Sequence, residues 1–303
     1  MTVALDDLNA FVAVARAGGF RDGAKALGVS PSGLSDAVRR LEAQLAVRLL
    51  NRTTRSVMPT EAGRDLLDRL GPAFREIEAA LDVVNTYRDR PAGTLRINVP
   101  VSVSRLVLPA VIPGFLKQYP EIRLEVVTDE NLVDVFAGGF DAGIRYEERL
   151  AQDMIAVPIG PRVQRFAVGA SPDYVERHGR PTHPRELLEH TCLRSRFPNG
   201  VLIPWELARD GEVVRLDPVS PLVVTAGGGS DLAVDAAVAG LGIVGLFDGW
   251  LQPYFQSGAL LPLLEDWWPT FSGPFLYYSG GRLVPAPLRA FVDYIKSTRS
   301  PEA

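Results

Sequence analysis

From position 60 onward the apolar residues Leu67, Leu70, Phe74, Ile77, Leu81 and Val84 recur at spacings of 3, 4, 3, 4 and 3. Only an α-helix carries that rhythm as one continuous stripe, the a/d seam of a helix that pairs. A helix over 60–88 spans about 43 Å at roughly 1.5 Å per residue, and it cannot bury its stripe alone. The partner is either a second copy of the same helix or the helices that precede it in its own chain. Gly71-Pro72 interrupts the run; Pro72 cannot donate to the carbonyl four residues back, and a kink is expected there. The helix divides the chain into a small segment, 1–59, the helical linker, 60–89, and a large segment, 90–303.

The small segment reads as helices closed by glycine. Leu5, Leu8, Phe11, Val12 and Ala15 share one helical face, and Gly18-Gly19 ends that helix. A short second helix over roughly 22–27 stops at Gly28. The stretch VSPSGLSDAVRRLE (29–42) then opens a third, with Ser30 as N-cap and Pro31 at the first helical position, where its missing N–H costs nothing. Leu34, Val38, Leu41 and Leu45 form its apolar stripe, and Ser32, Ser35, Asp36 and Arg39 lie on the far side. Small hydroxyl-bearing side chains at a leading end suit a helix that enters a groove. Two helices joined by a Gly-containing turn form a helix-turn-helix unit, whose second helix reads the major groove of DNA. In LLNRTTRSVMPT two short strand-like runs flank Arg52, Thr53, Thr54 and Arg55, a hairpin wing with cations and hydroxyls at its tip. An ordinary three-helix bundle with an exposed hairpin fits this periodicity equally well.

Charge separates the segments. The whole chain of 303 residues carries a net charge of −4, yet eight Arg and Lys face only three acids between positions 16 and 55. A basic module on an acidic chain points to nucleic acid at one end only. Asp6 and Asp7 stand where a secretory signal would be basic, and the most apolar run, 106–116, is broken by two prolines and too short to span a bilayer. Cys192 is the lone cysteine, which fits a reducing cytoplasm. In the large segment strand-like and helical runs alternate: LRINV, a helix over 104–119, IRLEVVT, a short helix over 131–137, FDAGIRY, RFAVGAS, a helix near 172–178, LVVTA, DLAVDAAVAG and GIVGLF. This is the βα pattern of a parallel-rich sheet.

Residues 11–63 closely resemble the winged helix-turn-helix of LysR-type transcriptional regulators. Phe20, Ala24, Leu27, Ser30, Ser35, Leu41-Glu42, Leu45, Leu49, Arg52 and Thr60-Glu61-Ala62-Gly63 carry the resemblance. Pro31, Asp36 and Gly23 depart from it, standing where Gln, Arg and Ala are usual. Pro31 and Asp36 lie at the reading end, so base preference does not carry over. The resemblance implies an N-terminal all-α winged helix-turn-helix with a long linker helix that dimerises through the seam. It also implies a C-terminal α/β two-lobed domain with a periplasmic-binding-protein-like fold. Lobe 1 would cover about 92–161 and 267–303, and lobe 2 about 162–266. The DNA-binding residues would be Ser30, Pro31, Ser32, Ser35, Asp36, Arg39, Arg40, Arg52, Thr53, Thr54 and Arg55.

A cleft between lobes is a common place for a ligand. Ser102, Val103 and Ser104 stand where the first strand gives way to a helix, whose exposed N–H groups and positive dipole end attract an anion. A plain helix cap explains Ser102 or Ser104 equally well. Arg145, and the run Arg194, Ser195, Arg196 and Phe197, follow strands, where a cation can meet a carboxylate. GGGSD (227–231) precedes a helix, with Ser230 as its cap. GLGIVG (240–245) matches G-x-G-x-x-G but runs from helix into strand, the reverse of a dinucleotide site. His178, His183 and His190 lack metal-ligand spacing. No catalytic motif and no cofactor site is legible. The expectation is a cytoplasmic, non-enzymatic regulator, a homodimer or homotetramer. It would bind a pseudo-palindromic double-stranded promoter site and a small anionic effector, a carboxylate, and no membrane. The alternative is a small-molecule-binding protein or α/β enzyme without DNA function.

Overall fold

The computed structural model describes residues 3–52, 57–85, 91–130, 138–146, 154–280 and 284–298. The chain forms two compact units, one built on Met1–Arg88 and one on Asp89–Val135 and Phe140–Ala303.

In the first unit α1 (Leu5–Ala17), α2 (Phe20–Leu27) and α3 (Pro31–Leu45) pack around Phe11, Val14, Leu34, Val38 and Leu41, all buried. Gly18 (φ 65°) and Gly28 (φ 67°) end α1 and α2 in the left-handed conformation, which glycine adopts without Cβ strain. The second helix starts at Phe20, earlier than expected. β1 (Leu50–Arg52) pairs antiparallel with β2 (Val57–Pro59), Leu50 opposite Pro59. The linker α4 (Glu61–Asn85) runs as one helix through Pro72. Thr60 caps it: its Oγ1 accepts the Gly63 N–H at 3.0 Å and donates to the Arg48 carbonyl at 2.8 Å. Gly63 is required there, because a Cβ would stand 2.1 Å from the Leu49 carbonyl oxygen.

The expected dimer seam meets a competing contact. Leu67, Leu70 and Phe74 pack, half-buried, against the core of their own helical unit. The periodicity is real, but its first half serves intrachain packing. Ile77 is 41% exposed. Leu81 and Val84 belong to α4, and their side chains lie outside what the structure describes.

In the second unit β3 (Gly93–Val99), α5 (Val101–Leu106), α6 (Leu108–Gln118), β4 (Ile122–Thr128), β5 (Ala142–Arg145) and β6 (Met154–Pro158) begin a first lobe. The expected single helix over 104–119 is two helices meeting at Val107, and the expected one over 131–137 lies outside the described residues. The chain enters a second lobe with β7 (Val163–Ala170), α7 (Pro172–His178), β8 (Cys192–Arg196), the hairpin β9 (Trp205–Arg209) and β10 (Glu212–Leu216), and β11 (Val223–Thr225). It continues through α8 (Ser230–Val238), β12 (Ile243–Phe247), α9 (Asp248–Ser257), β13 (Leu261–Leu263) and β14 (Thr270–Ser272). It returns with β15 (Phe275–Ser279) and α10 (Ala286–Thr298).

The first sheet has strand order β4-β3-β5-β15-β6 and the second β11-β8-β12-β7-β13, with β14 also on β7. Both are mixed. β3 pairs parallel with β4 and β5, and β8 pairs parallel with β11 and β12. The strands that cross between lobes, β7 and β15, run antiparallel to their neighbours, which the reading of a parallel-rich sheet did not foresee. Because β14 still pairs with β7, the return falls between Ser272 and Phe275, later than 267. Each lobe has its own apolar interior, Leu95, Ile97, Phe115 and Phe291 in one and Val168, Leu207, Trp250 and Leu251 in the other.

Candidate functional site

On the N-terminal unit, α3 presents an exposed leading end. Ser30 Oγ accepts the Gly33 N–H at 3.1 Å, so the expected cap is formed, and Ser32 Oγ lies 3.2 Å from it. Pro31, Ser32 and Asp36 are exposed and Ser35 is half-buried. Arg39 reaches Asp36 at 3.5 Å and Ser35 Oγ at 3.4 Å, staying on the solvent face.

Two of the arginines expected at the DNA also tie elements of their own unit together. Arg40 makes a forked pair with buried Asp7, at 2.6 and 3.3 Å, tying α3 to α1. Arg52 donates to Glu42 Oε2 at 2.9 Å and lies 4.9 Å from the Phe20 ring centroid. Glu42 Oε1 takes the N–H groups of Leu49 and Leu50 at 2.9 and 3.0 Å. Arg52 and Glu42 therefore fasten the wing to the end of α3. Thr53, Thr54 and Arg55 lie outside the described residues.

In the C-terminal unit a cavity of about 460 Å³ opens between the lobes. The first lobe contributes Pro100, Ser102, Glu130, Arg145 and Tyr146. The second contributes polar Ser195, Glu206, Ser230 and Thr270, and aromatic Phe166, Phe197, Trp205, Phe247, Trp250 and Phe271. Tyr146 stacks on Phe247 with centroids 5.6 Å apart and planes at 21°. Arg105 of α5 forms an ion pair across the lobes with Asp231 of α8. Asp231 also accepts the Trp250 Nε1–H at 3.1 Å, and the Arg105 guanidinium lies 4.4 Å from a Trp250 ring centroid. The lobes are thus clasped by one cation, one carboxylate and one indole.

Of the expected effector residues, Ser102, Arg145, Ser195, Phe197 and Ser230 line the cavity. Val103 is fully buried in the first lobe's core, Ser104 is half-buried along α5, and Arg196 is exposed at the end of β8; none of the three lines it. Neither serine caps α5. Its N-cap is Pro100, and its first N–H, that of Val101, donates to Glu130 Oε1 at 2.9 Å. A carboxylate of the chain itself therefore stands at this helix start. Ser102 Oγ instead lies 3.4 Å from Tyr146 Oη. Ser230 is the first residue of α8 rather than its cap, which is Gly229.

Arg145 is 1% exposed. Its Nη1 donates to the carbonyls of Asn98 and Ile144 at 3.2 and 2.7 Å, and its Nη2 to Asn98 Oδ1 and the Asp129 carbonyl. Arg194 is turned away, donating to the carbonyls of Pro218 and Ile203 and paired with Asp217. Glu130, Tyr146, Phe247 and Phe271 were missed. Glu130, Tyr146 and Phe247 stand at or just beyond a strand's end, the position that singled out Arg145, so that rule applied to every strand would have found them; Phe271 is the middle residue of β14. Gly227 (φ 78°) lets the second lobe approach Glu130, since a Cβ there would fall 2.4 Å from its Oε1.

The remaining candidates are structural. His183 Nδ1 accepts the Arg185 N–H at 3.2 Å as a cap, and His178 stacks on Tyr174. His190 Nδ1 lies 3.3 Å from the Tyr174 hydroxyl, and burial lowers its pKa. Among the described residues no three His, Cys, Asp or Glu side chains gather as metal ligands, and no helix is long and apolar enough to cross a membrane.

A helical unit with an exposed, serine-led helix and a hairpin wing, joined to a two-lobed α/β unit with a cavity between its lobes, defines a ligand-regulated DNA-binding protein. The comparisons place it further. The pattern described as "Bacterial regulatory helix-turn-helix protein, lysR family" matches residues 5–64, and "LysR substrate binding domain" matches 88–300. The chain is 40% identical over 302 residues to the HTH-type transcriptional regulator YcaN of Escherichia coli (strain K12), covering 98% of this chain and 96% of that one. It is similar in structure to CrgA, a LysR-type transcriptional regulator from Neisseria meningitidis (TM-score 0.58, 30% identity, 98% and 99% of the two chains). It is also similar to full-length AphB of Vibrio cholerae (TM-score 0.67, 25% identity, 97% and 99%). The chain belongs to the LysR family of transcriptional regulators.

Proposed function

We propose that this protein binds a pseudo-palindromic promoter site as a homodimer or as a homotetramer of two such pairs. It works in the cytoplasm without catalysing a reaction, and a small molecule between the lobes of its C-terminal unit sets its activity. The observation that carries the reading is the 460 Å³ cavity to which both lobes contribute. A molecule touching both lobes binds one inter-lobe angle better than another, and it shifts the equilibrium by that difference, typically ~1–3 kcal/mol. The exposed leading end of α3 supports groove reading, with Arg39 as its cation. The effector carboxylate expected from the sequence loses a main support, because Glu130 already holds the head of α5. What the cavity offers a ligand is an aromatic wall with hydroxyls.

Selection of bound sequences from random DNA tests the DNA half. Two inverted half-sites about one helical turn apart are expected; a single asymmetric site would contradict the dimer. For the effector half, Ala226→Trp fills the cavity. It should leave binding to the selected DNA intact and abolish the response of a reporter to its inducing condition. A fully retained response would move the effector elsewhere.

A further inference from the structure

Three ionic groups line the inter-lobe cavity: Arg145, Glu206 and Glu130. Arg145 is spent on the chain, its terminal nitrogens donating to three backbone carbonyls and the Asn98 amide oxygen. Glu206 is matched by Arg215 at 2.6 Å. Glu130 differs. Its Oε1 accepts the Val101 N–H, while its Oε2 accepts no hydrogen bond among the described residues. A carboxylate oxygen left open in a cavity lined by aromatic rings and hydroxyls gains most from a cation that brings both charge and N–H donors. The aromatic wall adds to the same preference, since ring faces attract cations. Trp250 already shows this, with the Arg105 guanidinium over its ring.

We propose that the effector of this protein is a small organic cation, an ammonium group on an apolar body, with Glu130 as its counter-ion. The inference rests on the cavity's being the effector site. It reverses the charge that the helix start suggested, because the fold places a carboxylate at that position.

The test uses the full-length protein and three probes of matched shape: phenethylamine, phenethyl alcohol and hydrocinnamate, which end in an ammonium, a hydroxyl and a carboxylate. By calorimetric titration phenethylamine should bind about ten-fold or more tightly than the alcohol, and hydrocinnamate most weakly. Glu130→Gln keeps an acceptor for Val101 and removes the charge, so the amine's advantage over the alcohol should vanish. Tightest binding by hydrocinnamate, or an amine preference that survives Glu130→Gln, overturns the proposal and leaves the cavity reading standing. Equal binding of amine and alcohol by the native chain overturns it as well, whether or not the variant folds. Failure of all three to bind, together with an Ala226→Trp variant that still responds, overturns both.

Discussion

Replacing Arg52 separates two roles with different physical signatures. A cation on a DNA phosphate releases counterions, and its loss lowers the salt slope of binding by about one unit. A cation that holds the wing in place leaves the slope unchanged and loosens the protein. The second role is supported by the contact of Arg52 with Glu42 at 2.9 Å, with 27% of its side chain exposed and 16% of its partner's. Arg52→Gln removes the ionic part of one hydrogen bond at this half-buried position, costing ~1–2 kcal/mol. Glu42→Ala removes three hydrogen bonds made to a charged acceptor, to Leu49, Leu50 and Arg52. With water replacing part of them at the unit's edge, the cost is ~3 kcal/mol.

Hydrogen exchange followed residue by residue is the assay, because a two-unit chain has no single unfolding free energy. The Leu49 and Leu50 amides should exchange about a hundred-fold faster in Glu42→Ala, as local opening becomes easier by that amount. In Arg52→Gln the increase should be about ten-fold. Titrations of selected DNA across salt concentrations should give Arg52→Gln the native slope with a weakened affinity. A slope reduced by about one unit, with exchange at Leu49 and Leu50 unmoved, would return Arg52 to the phosphates and refute the structural role.

Two further outcomes follow from close packing and burial. Gly63→Ala places a Cβ 2.1 Å from the Leu49 carbonyl oxygen, so the start of α4 must shift, destabilising the N-terminal unit by ~2 kcal/mol or more; an unchanged melting temperature of that unit would contradict the contact. Cys192 is buried and desolvation pushes its thiol up to about 12, so iodoacetamide at pH 8 should label it only after unfolding, and rapid labelling of the native chain would show the site to be open.

Local features of this fold were legible because their causes are local. Ser30-Pro31 starts α3, Gly18 and Gly28 stop α1 and α2, and the stripe Leu34, Val38, Leu41 faces inward, all from interactions within about four residues. The seam shows where such reasoning ends. Its period predicted a helix over 60–88, where the structure has Glu61–Asn85, but period does not name a partner, and Leu67, Leu70 and Phe74 lean on their own unit's core. The cavity was half legible for a related reason. A strand's end marks a place near a cleft, which located Ser102, Arg145, Ser195 and Phe197. It does not rank strand ends by chemistry, and so Glu130, Tyr146 and Phe247 were passed over.

Charge was the least legible quantity, and the cause is distance along the chain. Arg40 finds its acid 33 residues away, Glu130 finds the head of α5 at a separation of 29, and Arg105 meets Asp231 at 126. From sequence each of these groups looks available to an outside partner, a phosphate or an effector carboxylate. Folding brings an internal partner of opposite sign within hydrogen-bond distance, and desolvation favours that pairing, since a half-buried charge left alone costs more than an exposed one. Arg39, by contrast, meets only Asp36 and Ser35 of its own helix among the described residues. The same selection acts in the cavity. Arg145 has oxygen partners on the strands around it and is held by them, whereas Glu130 uses one oxygen to seat a helix and lines the cavity. What a ligand of this site meets is set by the partners that folding gives each charge, and under the proposal made above the charge that meets it is that of Glu130.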